Sequence, residues 1–213
     1  MPEPQPAAQF AHLPQQHEVA QLGIWTFLAT EVLFFGALLL SYAVYRSADP
    51  AAFAEAARHT KIAIGTINTA ILLTSSFLVA WAVAVVKTGG SRFAAFLLWS
   101  AAALGLSFIG LKGVEYAMEY GEHLLPGFGF RYDGPASQSV ALFFSFYIVA
   151  TVIHAIHVAV GIAVFAVIGR RAYQHAYSGS YHSPVIVFGL YWHFVDIVWI
   201  FLFALIYLPG RSG

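Results

Sequence analysis

No cysteine occurs in the 213 residues, which removes disulfides, thiolate metal ligands and thiol nucleophiles together and leaves the redox compartment open. Charge is nearly as scarce. Lys plus Arg number 10 and Asp plus Glu 10, so charged side chains are 9% of the chain and cancel; an ordinary soluble domain carries about 25%. With no net field, nothing indicates a nucleic-acid partner or an acidic one. The opening MPEPQPAAQFAHLPQQHE has no Lys or Arg and so lacks the basic region of a cleavable signal peptide. Residues 1–20 therefore read as a short polar tail.

What the chain has in excess is hydrocarbon, with 60% of its residues apolar. Five runs, at about 21–45, 62–86, 93–116, 140–168 and 185–208, each reach the ~20 helical residues that cross a ~30 Å bilayer core. They lack the alternating polar positions of a membrane strand, and in lipid every backbone amide must be satisfied internally, so helices are expected. The predicted fold is an all-α polytopic transmembrane bundle of five spans over 21–208, with a tail at 209–213. The connectors, such as RSADPAAFAEAARHTK and KTGGSR, are too short for a separate soluble domain, and no internal repeat is visible.

Loop charge orients the bundle. Lys87, Arg92, Arg170 and Arg171 share the side of the N-terminus; Arg46, Arg58, Lys61, Arg131 and Arg211 fall on the other. The first group sits tight against helix ends while the second is spread over longer connectors, which tips the reading to N-terminus inside and C-terminus outside.

Few polar groups lie at membrane depth. Glu31, in WTFLATEVLFFGALL, has no basic residue within a turn or two; it is either a hydrogen-bonded structural carboxyl or a proton-handling one, since hydrocarbon disfavours a lone ionised acid. His154 and His157, three apart in YIVATVIHAIHVAVGIAV with Gly161 a further turn on, share a helical face. That pattern suits a close helix crossing with interhelical hydrogen bonds better than a metal site, which would need Glu31, His193 or Asp196 from other helices and no thiolate. Two haem-binding His on one helix should stand about 13 to 14 residues apart, about 20 Å, and this pair does not. His193 and Asp196 are also three apart, with Trp192 and Trp199 on an overlapping stripe. Glu31, His154 and Asp196 all fall near mid-depth, so three helices could converge on one buried polar cluster; Glu31, His193 and Asp196 are the candidates for a proton-handling or structural role in it. Asn68, Thr69, Thr74, Ser75 and Ser76 in INTAILLTSSF read as interhelical packing and hydrogen bonding. Lys112, Glu115 and Glu119, spaced by three and four, read as a charge network at the membrane interface with Lys112 snorkelling. Tyr42, Tyr45, Tyr116 and Tyr207 at run ends read as an interfacial belt.

GIWTFLATEVLFFGALLLSYAVYR, NTAILLTSS, HAIHVAVG and YWHFVDIVWIFLFALIYL, in that order over 23–208, resemble successive landmarks of haem-copper oxidase subunit III, the cytochrome c oxidase polypeptide III family. The resemblance implies a helical bundle with a V-shaped cleft that holds phospholipids, packed against catalytic subunit I and in a complex with subunit II. It implies no catalytic residue, haem, copper or other cofactor in this chain, with haem and copper in the partner subunits. The implied role is to stabilise the catalytic core, sustain proton uptake and protect against inactivation during turnover. Glu31 falls at the family's buried membrane carboxyl, and His193 and Asp196 match its terminal motif. Longer members begin with two further spans, so the five-helix bacterial form of the inner membrane is implied, N-terminus cytoplasmic. A related branch accompanies nitric oxide reductases, and ATVIHAIH is bulkier than the usual pattern, so the donor, cytochrome c or quinol, and the acceptor stay open. So do an independent proton-coupled transporter using Glu31 and an intramembrane metalloenzyme using His154, His157 and Asp196.

Overall fold

The structure is a computed structural model that describes residues 9, 12–127, 129–132, 134, 136–177 and 181–211. Six helices and no strand occur among them: α1 (Leu13–Ala48), α2 (Pro50–His59), α3 (Ile62–Lys87), α4 (Ser91–Gly121), α5 (Ser137–Tyr173) and α6 (Ser183–Ile206). All but α2 are long and apolar enough to cross a membrane, in line with the five-span helical bundle the sequence predicts. Even α6, the shortest of the five at 24 residues, is about 36 Å long at about 1.5 Å per residue. The helices overrun the apolar runs: α1 starts at Leu13 and α4 continues to Gly121. Most of residues 1–11 and residues 212–213, the outer parts of the two expected tails, lie outside the described residues.

Helices α3, α4, α5 and α6 close on one another in a ring, each touching the next and α3 touching α6. Their inward stripes meet in the core: Leu72, Val79, Ala82 and Val86 from α3, Leu98, Ala101 and Phe108 from α4, Phe144, Val158 and Phe165 from α5, and Trp192, Trp199 and Leu202 from α6. Small residues let the crossings close. Trp192 is flanked by Gly105 of α4 and Gly161 of α5, where an added Cβ would lie 2.9 and 2.6 Å from the indole, so the crossing read from Gly161 is made on α6.

Helix α1 stands outside this ring, along α6, with lighter contact to α5 and α2. Only a narrow stripe of it is buried, Ile24, Leu28, Phe35 and Tyr42, whereas Trp25, Leu33 and Leu40 are more than half exposed. Two apolar grooves flank it. One, of about 610 Å³, runs between α1, α5 and α6 past Gly23, Phe27, Glu31, His157, Val187 and Tyr191. The other, of about 640 Å³, lies between α1 and α6 past Trp25, Leu28, Val32, Leu190, His193 and Phe194.

The first connector is not plain loop. Asp49 caps α2 by accepting from the Ala52 amide at 3.2 Å, Pro50 occupies the first turn, and alanines favour helix there. Ala52, Phe53, Ala56 and Ala57 make its buried face, with Phe53 against Tyr42 and Phe143. At its other end Arg211 donates to the carbonyls of Ala57, Arg58 and Thr60 at 3.0, 3.0 and 2.6 Å, satisfying acceptors that a helix C-terminus leaves open.

Candidate functional site

Glu31 of α1 finds its partner on α5. His157 Nε2 lies 3.1 Å from Glu31 Oε2, and His157 Nδ1 2.8 Å from the Ile153 carbonyl. A carbonyl only accepts, so Nδ1 carries a hydrogen. Nε2 then faces the carboxyl either as a lone pair receiving its O–H or as an N–H given to a carboxylate. In both arrangements the pair shares one proton. Both side chains keep some exposure, 16% for Glu31 and 18% for His157, and both line the first groove. Tyr191 steadies the imidazole's helix by donating to the His157 carbonyl at 2.9 Å.

His193 and Asp196 do not join them. His193 Nδ1 engages the Ser76 hydroxyl of α3 at 2.7 Å and its ring reaches the second groove. Asp196 is 3% exposed; among the described residues neither of its oxygens completes a hydrogen bond, although Ser76 lies beside it. The single polar cluster expected at mid-depth is therefore split, Glu31 standing apart from His193 and Asp196, because α1 meets α5 and α6 at its rim while Asp196 faces α3 from inside the ring. His154 is fully buried between Phe108 and Trp199, at centroid distances of 5.5 and 5.2 Å. Among the described residues neither nitrogen of His154 and neither side-chain polar atom of Asn68 has a hydrogen-bond partner, so of the three expected interhelical hydrogen-bonders only His157 makes one. The hydroxyls near Asn68 do bridge helices: Trp192 Nε1 donates to Ser75 and Trp199 Nε1 to Thr69, each at 3.0 Å. No group of three His, Asp or Glu that could hold a metal ion occurs among the described residues.

The largest departure is at Lys112. Instead of snorkelling it is 1% exposed, and Glu115 and Glu119 are 0% exposed. Lys112 Nζ donates to Glu115 Oε2 at 2.8 Å, to Tyr147 at 3.0 Å and to Tyr207 at 2.9 Å. The Tyr207 hydroxyl in turn donates to Glu115 Oε1 at 2.9 Å. The ammonium also stands 4.6 to 5.7 Å from the ring centres of Tyr116, Tyr147, Trp199 and Tyr207, which offer it the negative faces of their π systems. Tyr207 and Tyr42 thus belong to the interior, not to an interfacial belt: both are buried, and Tyr42 donates to the Leu205 carbonyl at 2.7 Å. The signal for this cluster was in the sequence. Ala101, Gly105, Phe108, Lys112, Glu115 and Glu119 step by four and three along one stripe, so the charges continue the face that the small and apolar residues bury.

Fold and polar groups together define a multi-pass helical membrane protein whose few ionisable side chains meet across its helices. The family described as cytochrome c oxidase subunit III matches residues 7–211. The cytochrome c oxidase subunit 3 of Thermostichus vulcanus is 31% identical over 201 residues, 94% of this chain and 92% of that one. That of Synechocystis sp. is 31% identical over 192 residues, 90% and 76% of the two chains. That of Triticum aestivum is 33% identical over 147 residues, 69% of this chain and half of the longer plant protein. The chain belongs to the cytochrome c oxidase subunit III family.

Proposed function

We propose that this chain is the redox-centre-free subunit III of a bacterial haem-copper terminal oxidase. It packs against catalytic subunit I in a complex that includes subunit II, holds phospholipid in the grooves flanking α1, and supports proton uptake by its partner. The observation that carries this reading is the Glu31–His157 pair, which joins the sparsely buried α1 to the helical ring at the wall of an apolar groove. A half-buried acid and base sharing one proton suit both tasks: they tie the helix down, and they pass a proton without leaving a bare charge in hydrocarbon. The reading places the N-terminus in the cytoplasm and the C-terminus outside.

Mass spectrometry of the complex extracted in mild detergent tests it. Co-release with a larger haem-containing subunit and phospholipid is expected. An isolated chain that carries iron, copper or porphyrin at full occupancy, or that moves protons alone in vesicles, overturns it.

A further inference from the structure

The rings around Lys112 form a series. Centroid to centroid, Tyr116 lies 6.1 Å from Tyr147, Tyr147 6.1 Å from Tyr207, and Tyr207 6.2 Å from Trp199. Tyr116 is partly exposed at the rim, while the other three have no accessible surface. Tyrosine and tryptophan are readily oxidised by one electron, and rings this close exchange an electron by short tunnelling steps.

The protons are provided for as well. A phenol yields an electron far more easily when a base takes its proton at the same moment, because the alternative is a phenol radical cation in a low-dielectric interior. Tyr207 is hydrogen-bonded to both oxygens of Glu115, at 2.9 and 3.1 Å. Tyr147 lies beside Glu119. Both carboxyls are sealed from solvent, so a proton moved to Glu115 stays beside the phenol it came from. Among the described residues Trp25 and Trp81, 61% and 44% exposed, make no hydrogen bond to such a buried base.

We propose that this column is a sink for oxidising equivalents, in which an electron hole reaching the bundle comes to rest on Tyr207. An oxyl species outside the bundle draws one electron from the sealed Trp199 by tunnelling and is itself reduced to its anion, leaving an indole radical cation. The indole regains its electron from Tyr207. As it does so, the Tyr207 O–H bond breaks, a new O–H bond forms on Glu115, and a neutral tyrosyl radical remains while Lys112 keeps its proton and charge. A one-electron donor such as a quinol resets the site, and the proton returns from Glu115 to the phenol.

The test uses the full chain in lipid nanodiscs, oxidised by a laser-generated ruthenium(III) polypyridyl and trapped for electron paramagnetic resonance. The expected result is a tyrosyl signal that Tyr207→Phe abolishes, that Tyr45→Phe leaves intact, and whose rise Glu115→Gln slows. Phenylalanine keeps the ring in place, and unchanged helical circular dichroism confirms that each variant is folded. An undiminished signal in Tyr207→Phe, or one carried by the exposed Tyr45 and Tyr120 with the buried tyrosines silent, overturns the proposal and leaves the rings as a cage for Lys112.

Discussion

Removing Lys112 should be far more harmful than removing Lys112 and Glu115 together. An ion pair with 2% and 0% side-chain exposure gains little over a well-packed apolar pair, but breaking it strands a charge, at a cost of about 3 to 5 kcal/mol. Lys112→Met should therefore lower stability by that order, and Lys112→Met with Glu115→Leu should recover most of it, read from loss of helical circular dichroism in a denaturing detergent titration. Equal losses in the two variants would contradict this. The pair also marks where sequence reading stopped short. An apolar run that ends near Tyr116 puts Lys112 at the water interface, but α4 continues to Gly121 and carries the charges inward on the stripe that buries Phe108. Glu31 was legible as an acid in need of a partner. That the partner is His157 was not, because a sequence does not say which helices touch.

The helices themselves differ in how they are fastened. The amphipathic α2 depends on its ends: Asp49→Ala should cost about 1 kcal/mol, seen as faster amide hydrogen exchange confined to Pro50–His59. Arg211→Ala, which removes a donor shared by three carbonyls at the other end, should add to that effect. The crossing of α4, α5 and α6 depends on space. Gly161→Ala would place a methyl 2.6 Å from Trp192 and should cost about 1 to 3 kcal/mol through overpacking, with blue-shifted or broadened tryptophan fluorescence as the Trp192 ring is displaced. The long helices could be read from hydropathy alone, since about 20 apolar residues have no other stable form in a bilayer. Helix α2 could not. Its connector's apolar residues are alanines and a single Phe, and its pattern makes sense only once Phe53 has Tyr42 and Phe143 to lie against.

At the scale of the molecule, the ring of α3 to α6 is a self-sufficient core and α1 is an outlier. Stripping phospholipid should raise hydrogen exchange in α1 while leaving the ring protected, and Glu31→Ala should widen that contrast. Its energetic effect should be modest, about 0.6 to 2 kcal/mol, as for other hydrogen bonds between membrane helices. Uniform loosening of all five spans would argue against this division. Composition fixed the class of molecule because charge is so scarce; the ring with its attached outlier follows from side-chain contacts that only three dimensions reveal. The order of the chain gives that outlier one more consequence. Helix α1 is made before α3, α4 and α5, yet its main support, α6, only after them, and the Tyr42 bond to Leu205 joins residues 163 apart. Until α5 supplies His157 the segment waits in the bilayer with its carboxyl unmatched, and until α6 follows it lacks most of its packing, so the growing polypeptide depends on the insertion machinery or surrounding lipid to shelter it.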